Sequence, residues 1–360
     1  MCFIVISYQS DVTYCFYLFD SYSLHLLLAE ILIEFELING SISVDNQNEE
    51  RAAIYKFKQR LDRFGKIAPE AKKISRALCF GTSHTMTSTT RPHLFITFQM
   101  PSQFIHSLER VFDLDYQDIP ARLSHEQILS RIRAHTPDAI LFSGGTKIDK
   151  EIISAAGDKL KMLATFSVGY NHIDIKECEK RGIPIGYTPG VLTDTTADLA
   201  ITLLLATSRR IAEAMRTVRN GEWGTSSNIM WMCGKPLINS TIGIVGLGRI
   251  GLAIARRLQP FSIQRILYSG TREKYFDSDN DKKLFKFVQF EELLHESDFV
   301  IIACALNEET TNMFNKKAFE QMKNDAILIN ISRGGIVDQD ALYDALKNGQ
   351  IRAAGKESFY

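Results

Sequence analysis

Residues 241–251 read Thr-Ile-Gly-Ile-Val-Gly-Leu-Gly-Arg-Ile-Gly. The apolar run ending at Val245 has the character of a buried parallel strand. Gly246, Gly248 and Gly251 then fall at G-x-G-x-x-G spacing. Gly246 permits a tight turn, Gly248 lets backbone approach a pyrophosphate, and Gly251 lets the next helix pack closely on the strand. That helix, over about 249–258, opens with Arg249 and Ile250. Its free N–H groups and positive dipole end face the phosphates. Chance glycines in a turn give the same spacing. The order of elements decides between the two readings, because a second strand follows at 265–269 (Arg-Ile-Leu-Tyr-Ser). Strand, glycine turn, helix and strand in succession predict a dinucleotide-binding fold.

The end of the second strand bears on cofactor choice. An Asp or Glu there bonds the ribose 2′-hydroxyl of NAD. This chain has Ser269, Gly270, Thr271 and Arg272, with Glu273 only afterwards. A guanidinium pairs bidentately with a phosphate, so the turn suits a 2′-phosphate and predicts NADP(H) in preference to NAD(H). A solvated loop with an exposed Arg272 is the plainer reading.

With 360 residues and 45% hydrophobic content, the chain can bury two ordinary cores. Its formal net charge of zero gives no electrostatic footprint for nucleic acid or an anionic membrane. The cysteines at 2, 15, 79, 178, 233 and 304 form no C-x-x-C pair. Reduced thiols in a cytoplasmic protein are the expectation. Residues 1–40 are rich in aromatic, Leu and Ile residues but broken by Asp11, Asp20, His25, Glu30, Glu34 and Glu36. They make a poor signal peptide and a poor membrane span. A helix fits 24–37, a solvated helix fits 45–76, and the small polar residues of 81–92 suit a linker. Residues 1–91 therefore read as an appended N-terminal extension and linker without a catalytic part.

From Pro92 the pattern alternates: strands at Leu94–Phe98, Ala139–Ser143, Met162–Val168 and Ile183–Tyr187, and helices at Pro101–Val111, Asp149–Ala156 and Ile173–Lys180. Repeated β-α units predict a parallel sheet covered on both faces, a domain over 92–191. A long helix begins near Thr193, with Thr193 or Asp194 as its cap and Ile201, Leu204 and Leu205 as its apolar stripe. Ligands of such sheets bind beyond the carboxyl ends of the strands. Two ends stand out, Ser143-Gly144-Gly145 and Ser167-Val168-Gly169. The N–H groups of Val168 and Gly169 have the shape to hold a carboxylate; a plain turn glycine explains the same residues.

Further stretches carry a resemblance: Gly186-Tyr187-Thr188-Pro189-Gly190 with Val191-Leu192-Thr193-Asp194, Asn220-Gly221-Glu222-Trp223, and Ile329-Asn330-Ile331-Ser332-Arg333-Gly334-Gly335. With the glycine motif and Ser167-Val168-Gly169, they make the chain resemble the D-isomer-specific 2-hydroxyacid dehydrogenases, above all their glyoxylate/hydroxypyruvate reductase branch. The likeness runs from about Leu94 to Gly355. It implies an α/β protein of two Rossmann-like parallel-sheet domains, a flavodoxin-like substrate domain and an NAD(P)-binding domain over 192–360. It further implies a homodimer built through the cofactor domain, with the helix from Thr193 as the expected contact. The implied reaction passes hydride to a small 2-oxo acid, glyoxylate or hydroxypyruvate. Arg333 is the implied catalytic residue and substrate-carboxylate ligand, sharing the carboxylate with Val168 and Gly169. Cofactor contacts carry over to Gly248, Arg249 and Ile250 at the pyrophosphate, to Ser269–Arg272, to Ala305 and to Ile331. No metal is implied.

The family pattern continues with Gly-Leu-Asp-Val, a catalytic Glu and a Pro-His turn bearing the general acid. Here Gly355 is followed by Lys356-Glu357-Ser358-Phe359-Tyr360. Glu357 occupies the place of the family Asp, and neither the Glu nor the His follows within these residues. His172 and His295 lie in or beside expected helices and offer no substitute. The expectation is a family member shortened at its C-terminus and catalytically crippled; the alternative is a non-catalytic nucleotide-binding protein that dimerises or regulates.

Overall fold

A computed structural model describes residues 2–6, 13–15, 91–276 and 279–357. Two compact units divide between Val191 and Leu192. Strands β1 (Cys2–Ile6) and β2 (Thr13–Cys15) fall with the second unit. The segments 24–37 and 45–76 and nearly all of 81–92 lie outside the described residues.

The first unit is a five-stranded parallel sheet. Its strands are β3 (His93–Ile96), β4 (Asp113–Asp115), β5 (Ala139–Ser143), β6 (Met162–Phe166) and β7 (Ile185–Gly186), in the order β4-β3-β5-β6-β7. Counted within the unit this is 2-1-3-4-5, the flavodoxin-like doubly wound order, with its switch point between β3 and β5. Helices α1 (Ser102–Leu108), α2 (His125–Ala134), α3 (Lys150–Ala156) and α4 (Ile175–Arg181) form the crossovers. Ile140, Leu141, Phe142 and Leu163 are fully buried, as strands covered on both faces must be.

The elements are shorter than the apolar runs suggest. β6 stops at Phe166, because Ser167 turns its N–H to the Thr165 carbonyl at 2.8 Å. Asp149 caps α3 by accepting the Ile152 N–H rather than joining it. Helix α2 went unread in the sequence. Its signal was a capping box, Ser124 with Gln127, ahead of buried Ile128, Leu129 and Ile132.

The second unit holds a sheet in the order β10-β9-β8-β11-β12-β13-β1-β2. Its strands are β8 (Thr241–Val245), β9 (Arg265–Ser269), β10 (Phe285–Phe287), β11 (Phe299–Ile302), β12 (Ile327–Asn330) and β13 (Ala353–Lys356). All six pair in parallel and run 3-2-1-4-5-6, the dinucleotide-binding order whose switch point lies between β8 and β11. β1 adds antiparallel to β13, and β2 to β1, so residues 2–6 and 13–15 continue this sheet.

Helix α5 (Thr193–Ser208) and α6 (Ile211–Arg219) precede this sheet, and α7 (Arg249–Leu258) follows β8. Short helices α8 (Asp279–Leu284), α9 (Phe290–Glu296) and α10 (Lys316–Gln321), then α11 (Gln339–Lys347), link the later strands. Ala197, Ala200, Leu203 and Leu204 of α5 join Ile254, Ala255 and Leu258 of α7 over one face of the sheet. Neither Thr193 nor Asp194 caps α5. Leu192 holds the cap position without a side-chain bond, and Asp194 instead joins Asp198 in pairing with Arg257 of α7. An exposed carboxylate between two packed helices gains more from a guanidinium than from one N–H.

Candidate active site

The glycine turn sits where the strand order reverses. Gly246 has φ +94°, and a Cβ built there would lie 2.7 Å from the backbone N and Cα of Cys304, just past β11. Its N–H donates to the Ser269 carbonyl at 2.9 Å, tying the ends of β8 and β9. A Cβ on Gly251 would run into the Gly246 carbonyl oxygen, so the first turn of α7 rests directly on the loop. Gly248 is different: a Cβ there meets nothing within 4 Å. The space above it is open, as backbone that receives a pyrophosphate requires. Gly248 is also the N-cap of α7 and offers no side chain, so no cap side chain takes the N–H groups of the first turn, where Arg249 and Ile250 stand.

Beyond β9, Ser269 is buried and its hydroxyl has no hydrogen-bond partner among the described residues. An orphaned buried hydroxyl is costly unless something completes it. Gly270, Thr271 and Arg272 beside it are exposed, and a Cβ on Gly270 meets open space. These features fit a dinucleotide whose ribose end rests on this turn.

Beyond β11, the Ala305 carbonyl accepts the Thr310 hydroxyl at 2.7 Å. Beyond β12, Ile331 is buried in the core, so backbone is the part of it open to a ligand. The turn carrying Arg333 is braced twice. Asn330 accepts the Ser332 N–H at 2.9 Å and donates to the Arg333 carbonyl at 3.0 Å. The Ser332 hydroxyl donates to the Cys304 carbonyl. Arg333 is thereby fastened to the same end of the sheet as the glycine turn.

The end of β13 completes this edge. The Glu357 N–H donates to the Asn330 carbonyl at 3.0 Å. Burial pushes the Glu357 carboxyl up from the ordinary range, partly countered by the charge of Arg333. Burial also lowers the Lys356 ammonium to about 8, and that ammonium donates to Gln339. Sequence reading noted Glu357 but missed Asn330 as the brace of the arginine turn; a polar residue ending an apolar strand was the available signal.

Thus Gly246, Gly248–Gly251, Ser269–Arg272, Ala305, Ile331 and Arg333 all lie at the carboxyl ends of one parallel sheet. Val168 and Gly169 belong to the other unit, just past β6. There the Ser167 hydroxyl donates to the Gly169 carbonyl, and the Val168 and Gly169 N–H groups donate to no acceptor among the described residues. His172 stands in a turn of that loop, bonded to the Thr165 hydroxyl at 3.0 Å. His295 ends α9, which leads into the start of β11 and so lies at the opposite end of its sheet from Arg333. Among the described residues, no group of His, Cys, Asp and Glu could hold a metal, and no helix is long and apolar enough to cross a membrane.

Known proteins agree with this architecture. Residues 201–360 match the family described as D-isomer specific 2-hydroxyacid dehydrogenase, NAD binding domain. The human glyoxylate reductase/hydroxypyruvate reductase is 44% identical over 268 residues, 73% of this chain and 79% of that protein. A glyoxylate reductase of Korarchaeum cryptofilum is 42% identical over 269 residues, 75% of this chain and 79% of that protein. A Sinorhizobium meliloti NADPH-dependent glyoxylate/hydroxypyruvate reductase, solved with NADP and malonate, superposes with a TM-score of 0.63 at 29% identity. That match covers 75% of this chain and 80% of the solved one. On fold, order of motifs and relatedness, the chain belongs to the D-isomer-specific 2-hydroxyacid dehydrogenase family.

Proposed function

We propose that this chain reduces small 2-oxo acids, glyoxylate and hydroxypyruvate, to their 2-hydroxy acids with NADPH, working as a homodimer. The observation that carries the reading is the Arg333 turn, fastened through Ser332 and Cys304 to the edge that bears the glycine motif. The bound nicotinamide supplies the hydride. Arg333 presents a planar fork suited to the carboxylate and oxo group of the acid. Val168 and Gly169, in the other unit, offer two N–H groups of the kind that hold a carboxylate. The relatives named above, reductases of glyoxylate and hydroxypyruvate, support the substrate class.

The orphaned Ser269 hydroxyl and Arg272, which has no ion pair or hydrogen bond among the described residues, support NADP(H) over NAD(H). Losing one phosphate-paired arginine costs about 1.5–3 kcal/mol, roughly tenfold or more in affinity. Arg272→Ala should therefore narrow the preference for NADPH over NADH by that factor, read by nicotinamide fluorescence. Equal affinities in the parent protein would end the preference argument.

For the dimer, the exposed apolar residues point to α6 rather than α5. Ile211, Met215 and Val218 share a face of α6, and Trp223, Ile229 and Met230 follow it, whereas most apolar residues of α5 are buried. Met215→Glu should raise the dimer dissociation constant in light scattering.

The second reading is a non-catalytic nucleotide-binding protein that dimerises or regulates. His295, at the opposite end of its sheet from Arg333, takes no part in the first reading. The deciding assay is NADPH oxidation with glyoxylate and with hydroxypyruvate. Turnover with both supports the reductase; tight NADPH binding without oxidation leaves the second reading.

A further inference from the structure

The substrate unit has its own switch point, between β3 and β5, and its own ligand crevice by the same topological rule. The sequence marks two of the turns gathered there, Ser143-Gly144-Gly145 and Ser167-Val168-Gly169, but not Arg122. Ser143-Gly144-Gly145 leaves β5, and the loop after β4 brings Arg122 onto it. A Cβ built on Gly145 would lie 2.6 Å from Arg122 Nη1, 2.8 Å from Cζ and 3.0 Å from Nη2. The guanidinium therefore rests against bare glycine backbone, a position that any larger residue at 145 would contest. On the other side, a Cβ on Gly144 would lie 3.0 Å from Ser167 Cβ and 3.2 Å from its Oγ. The two glycines form a strip with Arg122 at one end and the Ser167-Val168-Gly169 turn at the other.

Arg122 has no hydrogen bond or ion pair among the described residues. The carboxylates of the neighbouring loops are engaged elsewhere. Asp118 accepts Gln99 at 2.9 Å and the Tyr116 hydroxyl at 3.1 Å. Asp149 accepts His125 at 3.0 Å and the Ile152 N–H at 3.2 Å, and Asp115 pairs with Arg131. A guanidinium laid on backbone at a switch point, with no acid beside it, is arranged for an anion from outside.

We propose that Arg122 binds a second anionic group of the substrate, remote from the carboxylate at Val168 and Gly169, and so selects 2-oxo acids bearing a carboxylate or similar anion beyond C2. The inference rests on the reductase reading for its substrate, but its geometry lies wholly within one unit. The carboxylate at the Ser167 turn already meets two N–H donors. The glycine strip carries no side chain to obstruct a short carbon chain lying along it towards Arg122.

The test uses binding, so that it survives a failure of turnover. Isothermal titration of the full chain, with and without NADPH, compares glycolate with tartronate, the same 2-hydroxy acid bearing a second carboxylate. Tartronate should bind the parent roughly tenfold or more tightly, the value of one charge-assisted pair. Arg122→Gln should remove that advantage and leave glycolate within about twofold of the parent, and Arg122→Lys should keep part of it because it keeps charge but not the fork. Equal weakening of both ligands by Arg122→Gln would place the arginine on the shared carboxylate and overturn the proposal. Failure of tartronate to outbind glycolate, or of either to bind, or insensitivity to the substitution, would overturn it as well. A parent that shows the tartronate advantage yet oxidises no NADPH with glyoxylate would sink the reductase reading and leave this one standing.

Discussion

The two units begin alike and end differently. In the cofactor unit, Asp298 stands one residue before β11. Its carboxylate accepts the N–H of Thr241, the first residue of β8, at 2.8 Å, and its own N–H returns to the Thr241 carbonyl at 2.8 Å. In the substrate unit, Asp138 stands one residue before β5 and does the same with His93, the first residue of β3, at 2.8 Å in both directions. Each clasp sits across the switch-point pair of strands, at the amino end, and each is paired with lysine, two on Asp298 (Lys235 and Lys323) and one on Asp138 (Lys159). At the carboxyl ends the likeness stops. One unit closes its switch point by backbone against backbone, Gly246 on Cys304; the other closes it by side chain against backbone, Arg122 on Gly145. A doubly wound sheet needs its first strands fastened somewhere, and fastening them away from the ligand leaves the carboxyl ends free to diverge.

Gly246→Ala should have the largest effect. A side chain at positive φ costs about 1–2 kcal/mol. The contact with Cys304 backbone, which has no rotamer to escape by, adds about 1–3 kcal/mol of overpacking. Both tryptophans, Trp223 and Trp231, lie in the cofactor unit, so their fluorescence in urea follows that unit alone. A loss of about 2–5 kcal/mol there, with NADPH affinity falling by more than tenfold, is the expected outcome. A loss under about 1 kcal/mol would mean that the turn and Cys304 are not in contact, and the contrast between the two closures would break.

This contrast also explains what could be read in advance. Gly251 was legible because its close approach to the Gly246 carbonyl, a few residues back in the chain, forces glycine at fixed spacing, and Gly246 because the turn itself holds it at φ +94°. β8, α7 and β9 were legible for the same local reason, and their limits agree with expectation. Arg122 was not legible. Its contact joins two loops 23 positions apart, and no residue spacing encodes a guanidinium lying on a glycine. The brace of Asn330 on Arg333 is short in range but uses side-chain geometry that a string of letters does not display. The pairing of β1 with β13 joins opposite ends of the chain, and strand edges accept partners without a sequence code. The sequence also suggested a side-chain cap for α5, which failed because a tertiary partner, Arg257, was the stronger claimant on Asp194.

The two aspartate clasps sharpen the comparison from the other end. Burial tends to raise the Asp298 carboxyl, but the Thr241 N–H, Lys323 and Lys235 outweigh it and hold it below the usual range. A carboxylate with a depressed folded value stabilises above its unfolded pKa of about 3.9, and that stability is lost as pH falls through the lower folded value. Asp298→Asn should therefore cost the cofactor unit about 1.5–3 kcal/mol at neutral pH, the value of hydrogen bonds to a charged group. The gap between variant and parent should begin to shrink near about pH 4, where the unfolded carboxylate takes up its proton, and go on shrinking as pH falls through the lower folded value. A gap that persists unchanged to pH 2 would assign the effect to shape and not to charge. Asp138→Asn should cost less, about 1 kcal/mol, because its lysine is half exposed and screened. It should appear in far-ultraviolet circular dichroism while the tryptophan transition stays in place. Equal losses for the two variants would show that the lysines add nothing and that the backbone bond is the whole clasp.

The smallest effect belongs to Gly145→Ala, and its smallness is the point. By distance alone Gly145 looks as crowded as Gly246, 2.6 Å against 2.7 Å to the nearest atom. The difference lies in what is touched. Cys304 presents main chain held in a sheet, whereas Arg122 presents the far end of a flexible, exposed side chain that can swing into water. Gly145 also lacks the positive φ that would strain an alanine there. Gly145→Ala should therefore change stability by no more than about 0.5 kcal/mol, the range of surface substitutions. It should nevertheless displace the guanidinium, so the tartronate advantage should fall while glycolate binding holds. A stable protein with that one affinity lost would separate the two kinds of glycine contact cleanly: one that maintains the fold, and one that places a charge. If Gly145→Ala instead unfolded the substrate unit, the glycine strip would be structural and the contrast drawn between the two switch points would fail.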